Sequence, residues 1–114
     1  MILEHADIRI DPANAAAFEE AVKRGLETVI AKSSGYHGHK VNRSIESPGR
    51  YIVTIFWASL DDHMVGFRQS PAFTEWRSIV GPFFAQPPVV EWVNKEIGTE
   101  WSDKLLTAVQ QQKK

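Results

Sequence analysis

Among the four histidines of the chain, His63 falls three residues after Leu60 and four before Phe67, on or beside one face of a helix. An imidazole suits proton transfer near neutral pH, and the same ring can equally brace a helix by bonding a backbone carbonyl or a carboxylate. His37 and His39 form an H-x-H pair, which on a regular strand turns both rings to one face, a spacing that can serve a metal. The pattern offers no third ligand: there is no cysteine and no H-x-x-x-H, and His5 or a carboxylate would have to join from elsewhere in the fold, so no metal is expected. Arg68 and Arg77 can bind an anion, or can be solvated or paired with Asp61 or Glu75, as arginines on amphipathic helices are. Trp57, Phe67, Phe73, Trp76, Phe83, Phe84 and Trp92 all fall from the midpoint of the chain onward. Most of these rings serve a core, and rings around a gap between elements also suit a flat apolar ligand.

The elements that must position these groups are legible. Residues 2 to 10, ILEHADIRI, alternate as a strand, with Ile2, Ala6, Ile8 and Ile10 on one side and His5, Asp7 and Arg9 on the other. Asp11-Pro12 offers an N-cap and a first-turn proline, and Phe18, Val22, Leu26, Val29 and Ile30 follow at helical spacing up to Ser33-Ser34-Gly35. YHGHKVNRSIE (36 to 46) reads as a strand in which Gly38 marks a bulge or a close backbone approach, and Ser47-Pro48-Gly49 as a turn. YIVTIFWA (51 to 58) is apolar on both faces, as expected of a central, doubly covered strand. Ser59 and Asp62 signal a short helix carrying Leu60, Met64 and Phe67. Ser70-Pro71 starts a second, with serine as cap and Phe73, Trp76 and Val80 as its stripe. Proline is why two helices are expected rather than one, since it removes a donor and pushes the preceding residue out of helical geometry. VVEWV (89 to 93) reads as the last strand, and Ser102 can cap a final helix bearing Leu105, Leu106 and Val109. The order is the βαββαβ unit of the ferredoxin-like α+β architecture, over residues 1–97, with a C-terminal helical extension over 98–114.

At 114 residues the chain suits one domain with one core. Thirteen Lys and Arg against fourteen Asp and Glu leave no broad field to draw nucleic acid or an anionic membrane, so neither partner is expected. Nothing resembles an export signal or an apolar membrane span, and an intracellular, cytoplasmic protein is expected. Helices cover only one face of such a sheet, yet the central strand is apolar on both; a second copy of the same sheet is the simplest cover, which implies a homodimer.

The run W-x-S-L-x-x-H-x-x-x-F-R-x-S-P-x-F-x-x-W, Trp57 to Trp76, resembles the antibiotic biosynthesis monooxygenase (ABM) family, as do ESPGRYIV before it and GPFF after it. The resemblance runs from about residue 1 to 95 and is strongest over 43 to 84. It implies a dimeric α+β barrel made of two ferredoxin-like sheets packed face to face. It also implies a cofactor-independent monooxygenase, with no metal or flavin, acting on a flat aromatic or quinol-like molecule. The alternative is a non-catalytic small-molecule-binding or stress-response module of the same fold. The haem-degrading branch uses an asparagine, a tryptophan and a histidine at positions that here hold Ala6, Phe67 and Arg77, so that activity is not expected. A cofactor-free oxygenase needs a group to take a phenolic proton. His63 is the candidate for that role, with Trp57, Phe67 and Trp76 lining the substrate pocket.

Overall fold

The computed structural model describes residues 1–61, 66–93 and 97–112. The alternating N-terminal run forms β1 (Ile2–Arg9), with its even-numbered residues buried and its odd-numbered ones half-buried. The Asp11 carboxylate accepts the Ala13 N–H at 2.9 Å and caps one 3-10 turn, Pro12–Asn14, that leads into α1 (Ala15–Thr28). Phe18, Val22 and Leu26 are its buried stripe, and a 3-10 turn over Ile30–Lys32 brings it to its end at Ser33.

Strands β2 (Tyr36–Arg43) and β3 (Arg50–Trp57) pair antiparallel. Gly49 turns the chain between them with φ +79°, and its carbonyl accepts the Ile10 N–H at 2.8 Å. The Ser44 hydroxyl oxygen accepts the Glu46 and Ser47 N–H groups at 3.2 and 3.0 Å, so the polar residues of the turn satisfy its backbone. Beyond β3 comes α2 (Pro71–Val80), then β4 (Val89–Val93) and the exposed α3 (Asp103–Gln112), whose Leu105 N–H bonds the Ser102 hydroxyl at 3.2 Å. Ser70 departs from its expected role: its hydroxyl does not cap α2 but donates to the Phe67 carbonyl at 2.6 Å. Its own N–H bonds the same carbonyl at 2.9 Å, so Ser70 closes the preceding turn.

The sheet has the order β2-β3-β1-β4 with every neighbouring pair antiparallel, the ferredoxin-like arrangement. Helices α1 and α2 pack on the face that carries Ala6, Ile8, Tyr51, Val53 and Ile55, where Phe18 meets Tyr51 with ring centroids 4.8 Å apart. The opposite face carries Leu3, His5, Asp7 and Arg9 of β1, Ile52, Thr54 and Phe56 of β3, and Val89 and Val93 of β4. The helices of the chain cover only one face of the central strand: on the other, Ile52 and Phe56 are half-buried, while Thr54, bonded to His5, is buried. Ala58 lies past the end of the strand and is exposed, and its N–H bonds the Gly35 carbonyl at 2.7 Å. No helix among the described residues is long and apolar enough to cross a membrane.

Candidate functional site

Between the covered face of the sheet and α2 lies a cavity of about 540 Å³, within the range of small-molecule sites. Ala6, Ile8, Val53 and Ile55 form its floor, and Phe67, Phe73 and Trp76 its aromatic wall. The loop from Phe84 to Pro88 closes another side. Local chemistry explains the opening: Ser70-Pro71 separates Phe67 from α2, and the two rings on either side of the break, Phe67 and Phe73, meet edge to face at 5.6 Å and 87°. Trp76 is seated by Gly25 of α1, where a side chain would strike the indole.

Among the described residues, one carboxylate faces this apolar space. Glu4 is an even-numbered residue of β1, so the strand's alternation directs it to the covered face, where it is 9% exposed. Its Oε1 accepts the indole N–H of Trp57 at 3.0 Å. Trp57 is wholly buried and reaches the cavity through this bond rather than as part of its lining, and its ring also packs on Phe67 at 5.7 Å. At the rim stand Arg68 and Arg77, both exposed, with guanidinium carbons 5.5 and 5.9 Å from the centroid of the Phe73 ring.

Of the residues expected to form a site, Phe67 and Trp76 line the cavity and Trp57 stands behind Glu4, while His63 lies outside the described residues. The strand carrying His37 and His39 is not regular, since a bulge falls between Tyr36 and Gly38. The His39 Nδ1 is 2.6 Å from the Tyr36 hydroxyl, and His37 is exposed. Burial holds His39 below the ordinary imidazole range, against the pull of Glu27, and burial raises the Tyr36 hydroxyl. His5 cannot join them: it sits on the opposite face of the sheet, bonded through Nδ1 to the Thr54 hydroxyl at 3.2 Å. Among the described residues no group of three His, Asp or Glu is placed to hold a metal.

Glu4 is the group that sequence reasoning missed, whereas Arg68 and Arg77 were open to either an anion or a local acid. Parity along ILEHADIRI could have found Glu4, which shares its side with Ile2 and Ala6. Asp61 and Glu75 are not the partners of Arg68 and Arg77, which make no ion pair among the described residues. The three positions compared with the haem-degrading pattern, Ala6, Phe67 and Arg77, all line this one cavity.

Fold and cavity together define a ferredoxin-like domain with a cavity of small-molecule size under its helices, and comparison with known proteins gives the family. Residues 1–78 match the family "Antibiotic biosynthesis monooxygenase". YczJ of Bacillus subtilis is 30% identical over 91 residues, covering 80% of this chain and 95% of YczJ. A crystal structure of a Bordetella bronchiseptica protein carrying the same family description is 42% identical, with a TM-score of 0.78, over 84% of this chain and 97% of that one. The Streptomyces coelicolor monooxygenase ActVA-Orf6, solved with the ligand nanaomycin D, superposes with a TM-score of 0.75 at 18% identity, over 89% of this chain and 92% of that one. The chain belongs to the antibiotic biosynthesis monooxygenase family.

Proposed function

We propose that the protein is a cofactor-independent monooxygenase that oxidises a flat aromatic or quinol-like molecule inside the cavity beneath α2. The observation that carries this reading is a ring-walled apolar space with the buried carboxylate of Glu4 facing into it. A phenolic substrate lying against Phe67 and Trp76 gives up its proton to a nearby acceptor, and the electron-rich anion that remains reacts with dioxygen. One oxygen atom enters the substrate and the other leaves as water with two hydrogens from the substrate, which is therefore its own reductant. Glu4 is the acceptor that the geometry favours, oriented by the Trp57 indole, and His63 is the acceptor that the sequence offers. That ActVA-Orf6 holds nanaomycin D supports a small-molecule site in this fold.

The test is oxygen uptake with anthrone and with hydroquinones, with and without a chelator, for the wild type, Glu4→Gln and His63→Ala. The wild type is expected to exceed the uncatalysed oxidation with or without chelator. Loss of the acting proton acceptor should cost about a hundredfold or more. A wild-type rate no faster than the uncatalysed one would sink the enzymatic reading and leave a non-catalytic binding or stress-response module.

We also propose that two protomers pair through their uncovered sheet faces. Half-buried Leu3, Ile52 and Phe56, with Val89 and Val93 at 63% and 40% exposure, make that face more apolar than a solvated sheet surface needs to be. Sedimentation at micromolar concentration should return twice the 12.9 kDa chain mass; a monomeric mass would contradict the pairing.

A further inference from the structure

The cavity is electrostatically lopsided. Its floor carries the Glu4 carboxylate, and its rim carries two guanidinium groups from either side of the Ser70-Pro71 break, Arg68 before it and Arg77 in the last turn of α2. Both lie within 6 Å of the centroid of one ring, that of Phe73. Arg9, Arg43 and Arg50 each hold a carboxylate, at 3.2, 3.2 and 2.9 Å. Arg68 and Arg77, brought to the same ring, make no ion pair among the described residues. Two unpaired positive charges at the mouth of a low-dielectric space attract an anion.

We infer that the ligand of this cavity is an aromatic acid with a hydroxyl at its other end, its carboxylate held at the rim by Arg68 and Arg77 and its hydroxyl directed to Glu4. The inference rests on the reading of the cavity as an aromatic-ligand site and names the substrate class within it. A guanidinium fork matches a carboxylate with two parallel hydrogen bonds. The aromatic wall takes the rings, and the Glu4 carboxylate accepts a hydroxyl hydrogen. The same Glu4 charge repels a ligand entering carboxylate first, so the two ends of the cavity together fix which end of the ligand reaches the floor.

Calorimetric titration with 6-hydroxy-2-naphthoic acid and with its methyl ester separates charge from shape, since the two share rings and hydroxyl and differ in the anionic group. The acid is expected to bind wild-type protein about tenfold or more tightly than the ester, the size expected of charge-assisted hydrogen bonds at a partly exposed rim. In the double variant Arg68→Gln with Arg77→Gln that preference should vanish, while ester binding stays within about twofold of wild type, which also reports that the cavity is intact. Added salt should weaken the acid and spare the ester. Equal affinity of acid and ester for the wild type, or a preference that survives the double substitution, would overturn the assignment of an acidic ligand and leave the aromatic cavity standing. If neither compound binds, the aromatic-site reading falls and this inference with it.

Discussion

Replacing Gly25 by alanine should reach the cavity through Trp76, although Gly25 is not part of its lining. A Cβ at this position would lie 2.8 Å from Cε3 and Cζ3 of the Trp76 indole. Carbon atoms in contact prefer about 3.5–4.0 Å, so the ring must retreat by about 0.7 Å. Protein interiors are close-packed, and the free space beside Trp76 is the cavity it lines, so the retreat is into that cavity. Two effects oppose each other in stability. Alanine is favoured over glycine inside a helix by about 1 kcal/mol, and overpacking costs about 1–3 kcal/mol. The net expectation is a loss of about 1 kcal/mol, with affinity for 6-hydroxy-2-naphthoic acid and its methyl ester falling alike, by about tenfold. Urea unfolding at fixed protein concentration reads the first and calorimetry the second. A variant that is about 1 kcal/mol more stable than wild type, with unchanged affinity for both compounds, would refute the packing of Trp76 between α1 and the cavity.

Two further outcomes follow from features away from the cavity. Gly49→Ala places a Cβ at φ +79° and against the Ile10 carbonyl oxygen, a backbone atom that cannot swing aside; a loss of about 3 kcal/mol is expected in urea unfolding, combining the left-handed cost with overpacking, and a loss near zero would contradict the turn. Asp7, on the uncovered face, is held below its ordinary value of 3.8 chiefly by hydrogen bonding from Arg50, with Arg9 adding to this and desolvation opposing it. A depressed carboxyl stabilises the fold above that ordinary value, and the contribution is lost as pH falls through the lowered one. Stability should therefore rise with pH across that acid window, and Asp7→Asn should flatten the rise; an unchanged profile would show that the Arg50 pair does not contribute.

Periodicity made the fold legible. Alternation in ILEHADIRI, the helical spacing from Phe18 to Ile30 and the Gly49 turn each rest on a local rule that the structure obeys. The ABM resemblance rested on the same aromatic run, whose Phe67 and Trp76 line the cavity. The site itself was harder to read because its polar groups come from distant parts of the chain. Glu4 looks like an ordinary strand acid until the register sets Trp57 diagonally beside it, fifty-three residues away. Arg68 and Arg77 have the look of solvated helix arginines, and only tertiary packing brings both to Phe73. Similarly, His37 and His39 match a ligand spacing on a regular strand, and the bulge that breaks this regularity was visible only as Gly38. Ser70 satisfied the sequence rule for a cap, but the Phe67 carbonyl competed for its hydroxyl.

Whether the cavity beneath α2 is where this protein meets its ligand can be tested directly by titrating isotope-labelled protein with 6-hydroxy-2-naphthoic acid and following the backbone amides by NMR. Saturating shifts are expected at Ala6, Ile30, Phe73, Trp76 and Val90, which line the cavity from four directions of the fold, and they should follow one binding curve. Shifts gathered instead on α3 or on Val89, Glu91 and Val93 of the uncovered face, with the cavity amides unmoved, would contradict it.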